Sequence, residues 1–347
     1  MLLNLSKVSS AILDKDKKIK DAIKSLSKTG LQIVLVINKK KKFLGTVTDG
    51  DIRRGILNGI ELDSKLEKVT NKKSFYLKEY PGELKVKDIF EKKTINQFPI
   101  IQKHKIKYLC INRPERMGNK SQSNKVLIMA GGMGKRLLPL TKKLPKPMIK
   151  IGGKPILEHI INELYFQGFK NFLISTHYKA NKIKSYFKDG KKFNVSINYL
   201  HEKKAKGTAG AIKKISNSKK PVLVMNGDII TNLNFNDFLN FHLNNKNMIT
   251  VATKNVETRN PYGILKIKNS SIKYIHEKPI ENYIINTGFY IVDPKISKFI
   301  KKDENISMTD LIQRLIKKNI KITAFPIHEN WTDIGSIEGL RLARKKY

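Results

Sequence analysis

Cysteine is nearly absent. Cys110 stands alone among 347 residues, so no disulfide can form within the chain. That excludes a disulfide-stapled scaffold and suits a reducing cytoplasm, the expected location. No apolar run approaches the roughly 18 residues of a membrane span. The opening "MLLNLSKVSSAILDKDKKIK" has no apolar stretch of the kind a secretory leader carries. Acidic residues are scarce too, 29 Asp and Glu against 69 Lys and Arg, which leaves a net charge of +40. Such an excess raises the question of a nucleic-acid partner. The lysines are scattered among Asn and Ile, however, and aromatic residues do not interleave with them as single-strand binding requires. The charge therefore reads as a compositional bias spread over solvated faces, with nucleic acid not expected as a partner.

What is present is enough for a packed core, at 40% apolar residues, and the length suits two domains. The polar, aperiodic "RPERMGNKSQSNK", Arg113 to Lys125, reads as the linker between them. The expected division is 1–117, a linker at 118–124, and 125–347.

The first domain alternates helix and strand. "KIKDAIKSLSKTG" carries Ile19, Ala22, Ile23 and Leu26 at helical spacing, with Gly30 as its stop. "QIVLVIN" reads as a strand, and "FLGTVTDGDIRRGILNG" as a strand entering a helix. The order recurs in "ELKVKDIFEKKTINQFPII" and "KIKYLCIN", an internal repeat of two half-modules. "GTVTDGDIRR" resembles the signature end of a CBS motif, and the repeat resembles a CBS pair. In that family G-x-x-T-x-x-D places a hydroxyl and a carboxylate on adenosine ligands. The matching residues are Gly45, Thr48 and Asp51. The second repeat lacks the Thr and Asp, so at most one adenine-nucleotide site is implied. The alternative is that Asp51 is simply a helix N-terminal charge. Regulation or contact within a homo-oligomer is the expected role.

The second domain reads as strand and helix in alternation. "KVLIMA", "NFLISTH", "VSINYLHE" and "PVLVMNGD" are strands; "KPILEHIINELYFQG", "NKIKSYFKDG" and "TAGAIKKIS" are helices. This predicts an α/β fold with a Rossmann-like, mixed but mostly parallel sheet, preceded by an α+β module. Ligands then gather at the strands' carboxyl ends. "YGILKIK", "SIKYIHEK" and "YIINTGFYIVD" predict an antiparallel extension over that site.

The chemistry-bearing residues cluster at strand ends. Gly131, Gly132 and Gly134 let backbone N–H groups approach a phosphate closely. The spacing fits neither a dinucleotide turn nor a P-loop. Arg136 adds a planar donor fork, and Pro145 and Pro147 stiffen the loop around Lys146. Together they suit a polyphosphate. Asp228 in "VLVMNGD" and Asp333 in "WTDIG" stand at the carboxyl ends of strands; as an oxygen pair they suit Mg²⁺. Lys278, beside Glu277 in "HEKP", offers a second phosphate grip.

The ordered set "MAGGMGKRLLPLTKKLPKPM", "GTAGAI", "NGD", "YG", "EKP", "NTG" and "WTDIG" resembles the sugar-1-phosphate nucleotidyltransferases across nearly the whole second domain. The resemblance implies that an NTP and a sugar 1-phosphate give an NDP-sugar and pyrophosphate, with Mg²⁺. It places the glycine turn on the nucleotide and Arg136 on the departing phosphates. Lys146 falls on the reacting phosphates, and Asp228 and Asp333 on the metal. Lys278 takes the sugar phosphate, and Gly263, Glu277 and Asn286 the sugar. Lys135 departs from the pattern, where a small hydroxyl residue is usual. Glu202, ahead of Gly207 and Gly210, suits the donor edge of guanine, and no glutamine of the thymidylyl or uridylyl kind stands near Gly210. GTP is therefore the expected donor, with CTP, UTP or dTTP as alternatives, or a CBS-regulated binding protein without turnover. The fusion is similar to bacterial guanylyltransferases of surface-sugar pathways, such as the glucosamine-1-phosphate enzymes of legionaminic acid synthesis.

Overall fold

A computed structural model describes residues 2–29, 31–93, 95–112, 121–202 and 207–346. It divides into two units, 1–118 and 119–347. Gly30 and most of the expected linker, 113–120, lie outside the described residues.

In the first unit β1 (Leu2–Asn4), β6 (Lys105–Ile111) and β5 (Gln97–Gln102) form one sheet. The other consists of β2 (Ile12–Asp14), β3 (Ile33–Ile37) and β4 (Phe43–Thr48). β2 runs parallel to β3, and β3 antiparallel to β4. The second half repeats this order: Leu77 bridges Ile100 in parallel, and β5 pairs antiparallel with β6. Ile33 and Leu35 share one core with Ile101, Ile106 and Leu109, so the two half-modules bury each other's apolar faces.

The second unit is built on seven strands in the order β11-β10-β7-β12-β17-β14-β18. In chain order the strands are β7 (Gln122–Met129), β8 (Lys150–Ile151) and β9 (Lys154–Pro155), then β10 (Phe169–Thr176) and β11 (Ser196–His201). β12 (Val222–Asn226), β13 (Ile229–Thr231), β14 (Ile249–Arg259), β15 (Ile264–Lys268), β16 (Ser271–His276) and β17 (Ile280–Val292) follow. β18 (Ile322–Ile327) and β19 (Trp331–Asp333) complete the set. Neighbours β11, β10, β7 and β12 are all parallel, as are β14 and β18. Only β17 runs against the others. The mixed, mostly parallel sheet is as expected.

Alternation along β7 explains the layers. Val126 and Ile128 enter one core and Leu127, between them, enters the other. A strand buried on both faces reads as a continuous apolar run. Helix Ile156–Phe166 covers the first face with Ile156, Leu157, Ile160, Ile161 and Leu164, and Gly168 follows at φ 94° as its stop. Leu311 and Leu315 of helix Met308–Ile316 cover the second.

Two expectations need correction. β7 begins at Gln122, so the last residues assigned to the linker, Gln122 to Asn124, are strand. Their polar side chains concealed this: Gln122 Nε2 donates to Asn236 Oδ1 at 2.7 Å and Asn124 Nδ2 to the Pro221 carbonyl at 2.7 Å. The "TAGAIKKIS" helix is one α-turn, Gly207–Gly210, continuing as a 3₁₀ turn, Ala211–Ile215. No helix among the described residues is long and apolar enough to cross a membrane.

Candidate active site

The carboxyl ends of β7, β10, β11 and β12 surround a cavity of about 280 Å³. Gly131, Gly132, Lys146, Glu202, Gly207 and Asp228 all line it. The turn after β7 is held tightly. Ala130 N–H donates to the Ser175 carbonyl at 2.9 Å, and Thr141 Oγ1 to the Gly134 carbonyl at 2.9 Å. Gly134 sits at φ 65°, and a Cβ there would come within 2.8 Å of Thr141 Cγ2 and 3.1 Å of Lys146 Cβ. Glycine is what allows this turn to close on the Lys146 loop.

Lys146 opens a 3₁₀ turn between its two prolines and is 8% exposed. Its Nζ pairs with Asp228 Oδ2 and lies 3.9 Å from Asp333 Oδ1. The two aspartates meet because β13 pairs with β19, setting Ile229 opposite Asp333, and Ile334 N–H donates to the Asp228 carbonyl at 3.0 Å. Asp228 Oδ1 is buried with no hydrogen-bond partner among the described residues. An orphaned carboxylate oxygen is costly, and here it belongs to one of two carboxylates gathered on one ammonium. Arg136 reaches the same place: a Cβ built on Gly335 would come within 2.9 Å of Arg136 Nη2 and 2.8 Å of Asp333 Oδ1. The glycine of "WTDIG" thus leaves room for the guanidinium beside the carboxylate.

Glu202, 8% exposed, follows β11 directly. Its Oε1 accepts from Ser175 Oγ at 2.6 Å, its N–H donates to the Thr176 carbonyl at 2.9 Å, and His177 Nδ1 lies 2.7 Å from its carbonyl. Ser175, His177, Thr208 and Asn226 also line the cavity, and sequence reasoning did not single them out. For Ser175, His177 and Asn226 the signal was positional, as polar residues at or just beyond strand ends, whereas Thr208 lies in the turn Gly207–Gly210. Gly207 is at φ 72°, where a Cβ would stand 2.3 Å from the Ile306 carbonyl oxygen. The segment that presses on it also receives it. Ala209 N–H donates to the Ile306 carbonyl at 3.0 Å, and Met308 N–H to Thr208 Oγ1 at 2.9 Å.

The expected sugar residues lie outside the cavity lining, Gly263, Glu277 and Lys278 together and Asn286 on β17. β15 and β16 make an antiparallel hairpin that pairs with no third strand among the described residues. Lys278 Nζ lies 3.8 Å from Glu277 Oε1 at its base, and a Cβ on Gly263 would come within 2.8 Å of Glu277 Oε2. Asn286, on β17, donates from Nδ2 to the Tyr290 hydroxyl at 2.8 Å and accepts from Gly288 N–H at 3.0 Å. Burial pushes the Tyr290 phenol up, against the effect of that hydrogen bond.

In the first unit Thr48 and Asp51 close a capping box on helix Asp49–Leu57. Asp51 Oδ2 accepts from Thr48 N–H at 2.8 Å and Thr48 Oγ1 at 2.6 Å, and its Oδ1 from Arg54 at 2.5 Å. A Cβ on Gly45 would stand 2.4 Å from the Asn71 carbonyl oxygen. All three residues therefore have a structural task, Asp51 and Thr48 at the helix terminus and Gly45 against the Asn71 backbone.

A CBS domain model matches residues 8–58, and a nucleotidyl transferase model matches 125–347. The UTP–glucose-1-phosphate uridylyltransferase of Synechocystis sp. is 32% identical over 234 residues, covering 61% of this chain and 60% of that protein. The catalytic subunit beta of mannose-1-phosphate guanylyltransferase from Drosophila melanogaster is 32% identical over 228 residues, covering 63% and 62%. The chain thus spans about 60% of the length of these curated relatives. Among solved structures, HddC from Yersinia pseudotuberculosis superposes with a TM-score of 0.52 at 30% identity, covering 64% of this chain and 99% of that one. The same protein complexed with GMP-PN gives a TM-score of 0.51 at 28% identity, covering 64% and 99%. With that match running from Lys125 through the glycine turn, Lys146, Asp228 and Asp333, the chain belongs to the nucleotidyl transferase family.

Proposed function

We propose that the second unit transfers a nucleotidyl group from GTP to a sugar 1-phosphate, giving an NDP-sugar and pyrophosphate for surface-glycan synthesis. The observation that carries this reading is the convergence of the glycine turn, Lys146, Asp228 and Glu202 on one cavity. A phosphate oxygen of the sugar 1-phosphate attacks the α-phosphorus of the NTP. The bond from α-phosphorus to the bridging oxygen breaks, and pyrophosphate leaves with that electron pair. The attacking phosphate is already anionic, so no general base is needed. The barrier is repulsion between anions and charge gathering on the α-phosphoryl oxygens. Lys146 answers that charge from a loop that two prolines hold still. Backbone N–H groups of the glycine turn and the Arg136 fork take the departing phosphates, and Lys278 the sugar phosphate.

A hard divalent cation fits Asp228 and Asp333. Both offer only oxygen, and Asp228 Oδ1 is a buried acceptor awaiting a partner. Mg²⁺ is our choice; when bound it would neutralise phosphate charge beside Lys146. Glu202 favours guanine, because a carboxylate accepts from both N–H groups of that edge, and Ser175 fixes one of its oxygens. The guanylyltransferase and GMP-PN names among the relatives and structures point the same way, while the uridylyl relative keeps UTP as the second reading. The first unit would serve regulation or assembly of a homo-oligomer. An adenine nucleotide at Gly45, Thr48 and Asp51 would have to displace Arg54 from Asp51 Oδ1. The test is a panel of four NTPs against sugar 1-phosphates, read by pyrophosphate release. Release with GTP alone supports the reading. Release with UTP alone moves the base assignment, and nucleotide binding without any release replaces catalysis with regulated binding.

A further inference from the structure

Three consecutive residues at the end of β10 hold Glu202, each at a different atom. Ser175 Oγ donates to Glu202 Oε1 at 2.6 Å, and the Thr176 carbonyl accepts from the Glu202 N–H at 2.9 Å. His177 Nδ1 lies 2.7 Å from the Glu202 carbonyl. That carbonyl can only accept, so Nδ1 carries the hydrogen whatever the charge of the ring. The parallel register brings these groups level. Thr176 stands opposite His201 in the last pair of the β10–β11 ladder, and Glu202 is the next residue. Past that pair the His177 ring, rather than another backbone N–H, takes the Glu202 carbonyl. Ser175, Thr176 and Glu202 are buried.

His177 also touches the phosphate side of the cavity. A Cβ on Gly131 would stand 3.3 Å from His177 Cβ and 3.5 Å from its backbone nitrogen, and Tyr178 N–H donates to the Gly131 carbonyl at 3.4 Å. His177 therefore lies between the glycine turn and Glu202, and all three line one cavity. A nucleotide gripped at its phosphates and read at its base has to span these two groups. The base is read well only if their separation is fixed, since a displacement of about 1 Å can cost about 100-fold. Ser175 fixes the carboxylate of Glu202, and His177 fixes its main chain. We propose that His177 is a positioning residue for base selection, its Nδ1–H setting Glu202 at the reading distance from the glycine turn. The inference rests on the reading of Glu202 as the group that selects the base.

The test reads the preference of the full chain for its favoured NTP over the next best. It is measured as a ratio of Kd values by calorimetry with Mg²⁺ present, and as a ratio of kcat/KM. The ratio can be read whichever base is favoured. In His177→Asn the side-chain amide nitrogen falls where Nδ1 was, and in His177→Gln it falls where Nε2 was. His177→Asn is expected to keep the ratio within about 3-fold, while His177→Gln and His177→Leu lower it about 10-fold or more. The comparison of Asn with Gln decides even where the Leu variant does not fold. A merely structural role weakens every NTP alike and leaves the ratio alone. An unchanged ratio in His177→Gln therefore overturns the proposal, as does a loss in His177→Asn equal to that in His177→Gln. Glu202→Gln tests the reading beneath it. A wild type without preference, or a Glu202→Gln variant that keeps the ratio, removes Glu202 as the base reader and the proposal with it. If Glu202→Gln loses the ratio and His177→Gln keeps it, only the role of His177 falls.

Discussion

Asparagine at position 228 tests the centre of the site. In the parent, Lys146 Nζ is gripped by Asp228 and lies 3.9 Å from Asp333. Asp228→Asn leaves a nearly buried ammonium with one carboxylate instead of two. Complete loss of a buried partner costs about 3–5 kcal/mol. Here Asp333 remains and the Asp228 side chain is partly open to solvent, so the smaller range for an incompletely paired group, about 1–3 kcal/mol, applies. The metal arm of the test is sharper. A cation that binds only the folded state adds about 1.4 kcal/mol at ten times its Kd. For a unit of this size that raises Tm by roughly 3–5 °C. The assay is thermal unfolding of the full chain in EDTA and in excess Mg²⁺, with turnover alongside. The parent is expected to gain stability from Mg²⁺. The variant is expected to be folded, less stable in EDTA, indifferent to Mg²⁺, and slower by about 100-fold or more. A variant that keeps the Mg²⁺ gain and turns over within a few-fold of the parent refutes both the metal assignment and the charge argument built on Lys146.

Lys278→Ala is expected to raise the KM for sugar 1-phosphate about 10- to 150-fold, the worth of a charged phosphate contact, and to leave the KM for NTP nearly unchanged; equal effects on both would sink the assignment. His242 gives a pH prediction. It is buried against Thr250, and burial holds its pKa down to about 4 despite Asp293. The unfolded state therefore takes up the extra proton between about pH 6.5 and 4, so stability is full above that window and falls by about 3 kcal/mol across it as pH drops. Asp63 and Glu304, held at about 2 by their Lys and Arg partners, lose their contribution only at lower pH. Urea titrations from pH 7 to 4.5 are expected to show this slope in the parent and a shallower one in His242→Asn; identical slopes would remove His242 as its origin.

How far the sequence could be read depended on whether a residue's task was local. The strands feeding the site were legible because burial on both faces leaves an uninterrupted apolar run, as at Val126–Met129 and Val222–Met225. Gly134 and Lys146 were legible because φ and chain stiffness are set by the residues beside them. β14 and β18 were not, since "ITVATKNVETR" mixes buried with exposed positions and its partners are distant in the chain. Gly45 and Gly207 both stand in motifs matched to ligand binding. In the structure a carbonyl from a remote segment, Asn71 or Ile306, lies where each Cβ would be. A tight approach between distant backbones and a tight approach to a phosphate leave the same mark in a sequence.

That ambiguity bears on the two units differently. In the second, the glycines are joined at one cavity by Lys146, Asp228 and Glu202, groups whose charge or burial the fold alone does not require. Asp228 Oδ1 in particular satisfies no donor among the described residues, so its burial is a cost that folding leaves standing. In the first unit, Thr48 and Asp51 satisfy each other and the helix terminus, so that motif carries no such cost. A motif whose polar atoms are all answered within the fold is explained by stability. One that leaves a buried carboxylate oxygen unanswered beside a held ammonium points to a charge that arrives later. In the proposed site Asp228 lines the cavity beside Lys146, and its unanswered oxygen is the atom that the Mg²⁺ arm of the Asp228→Asn experiment addresses.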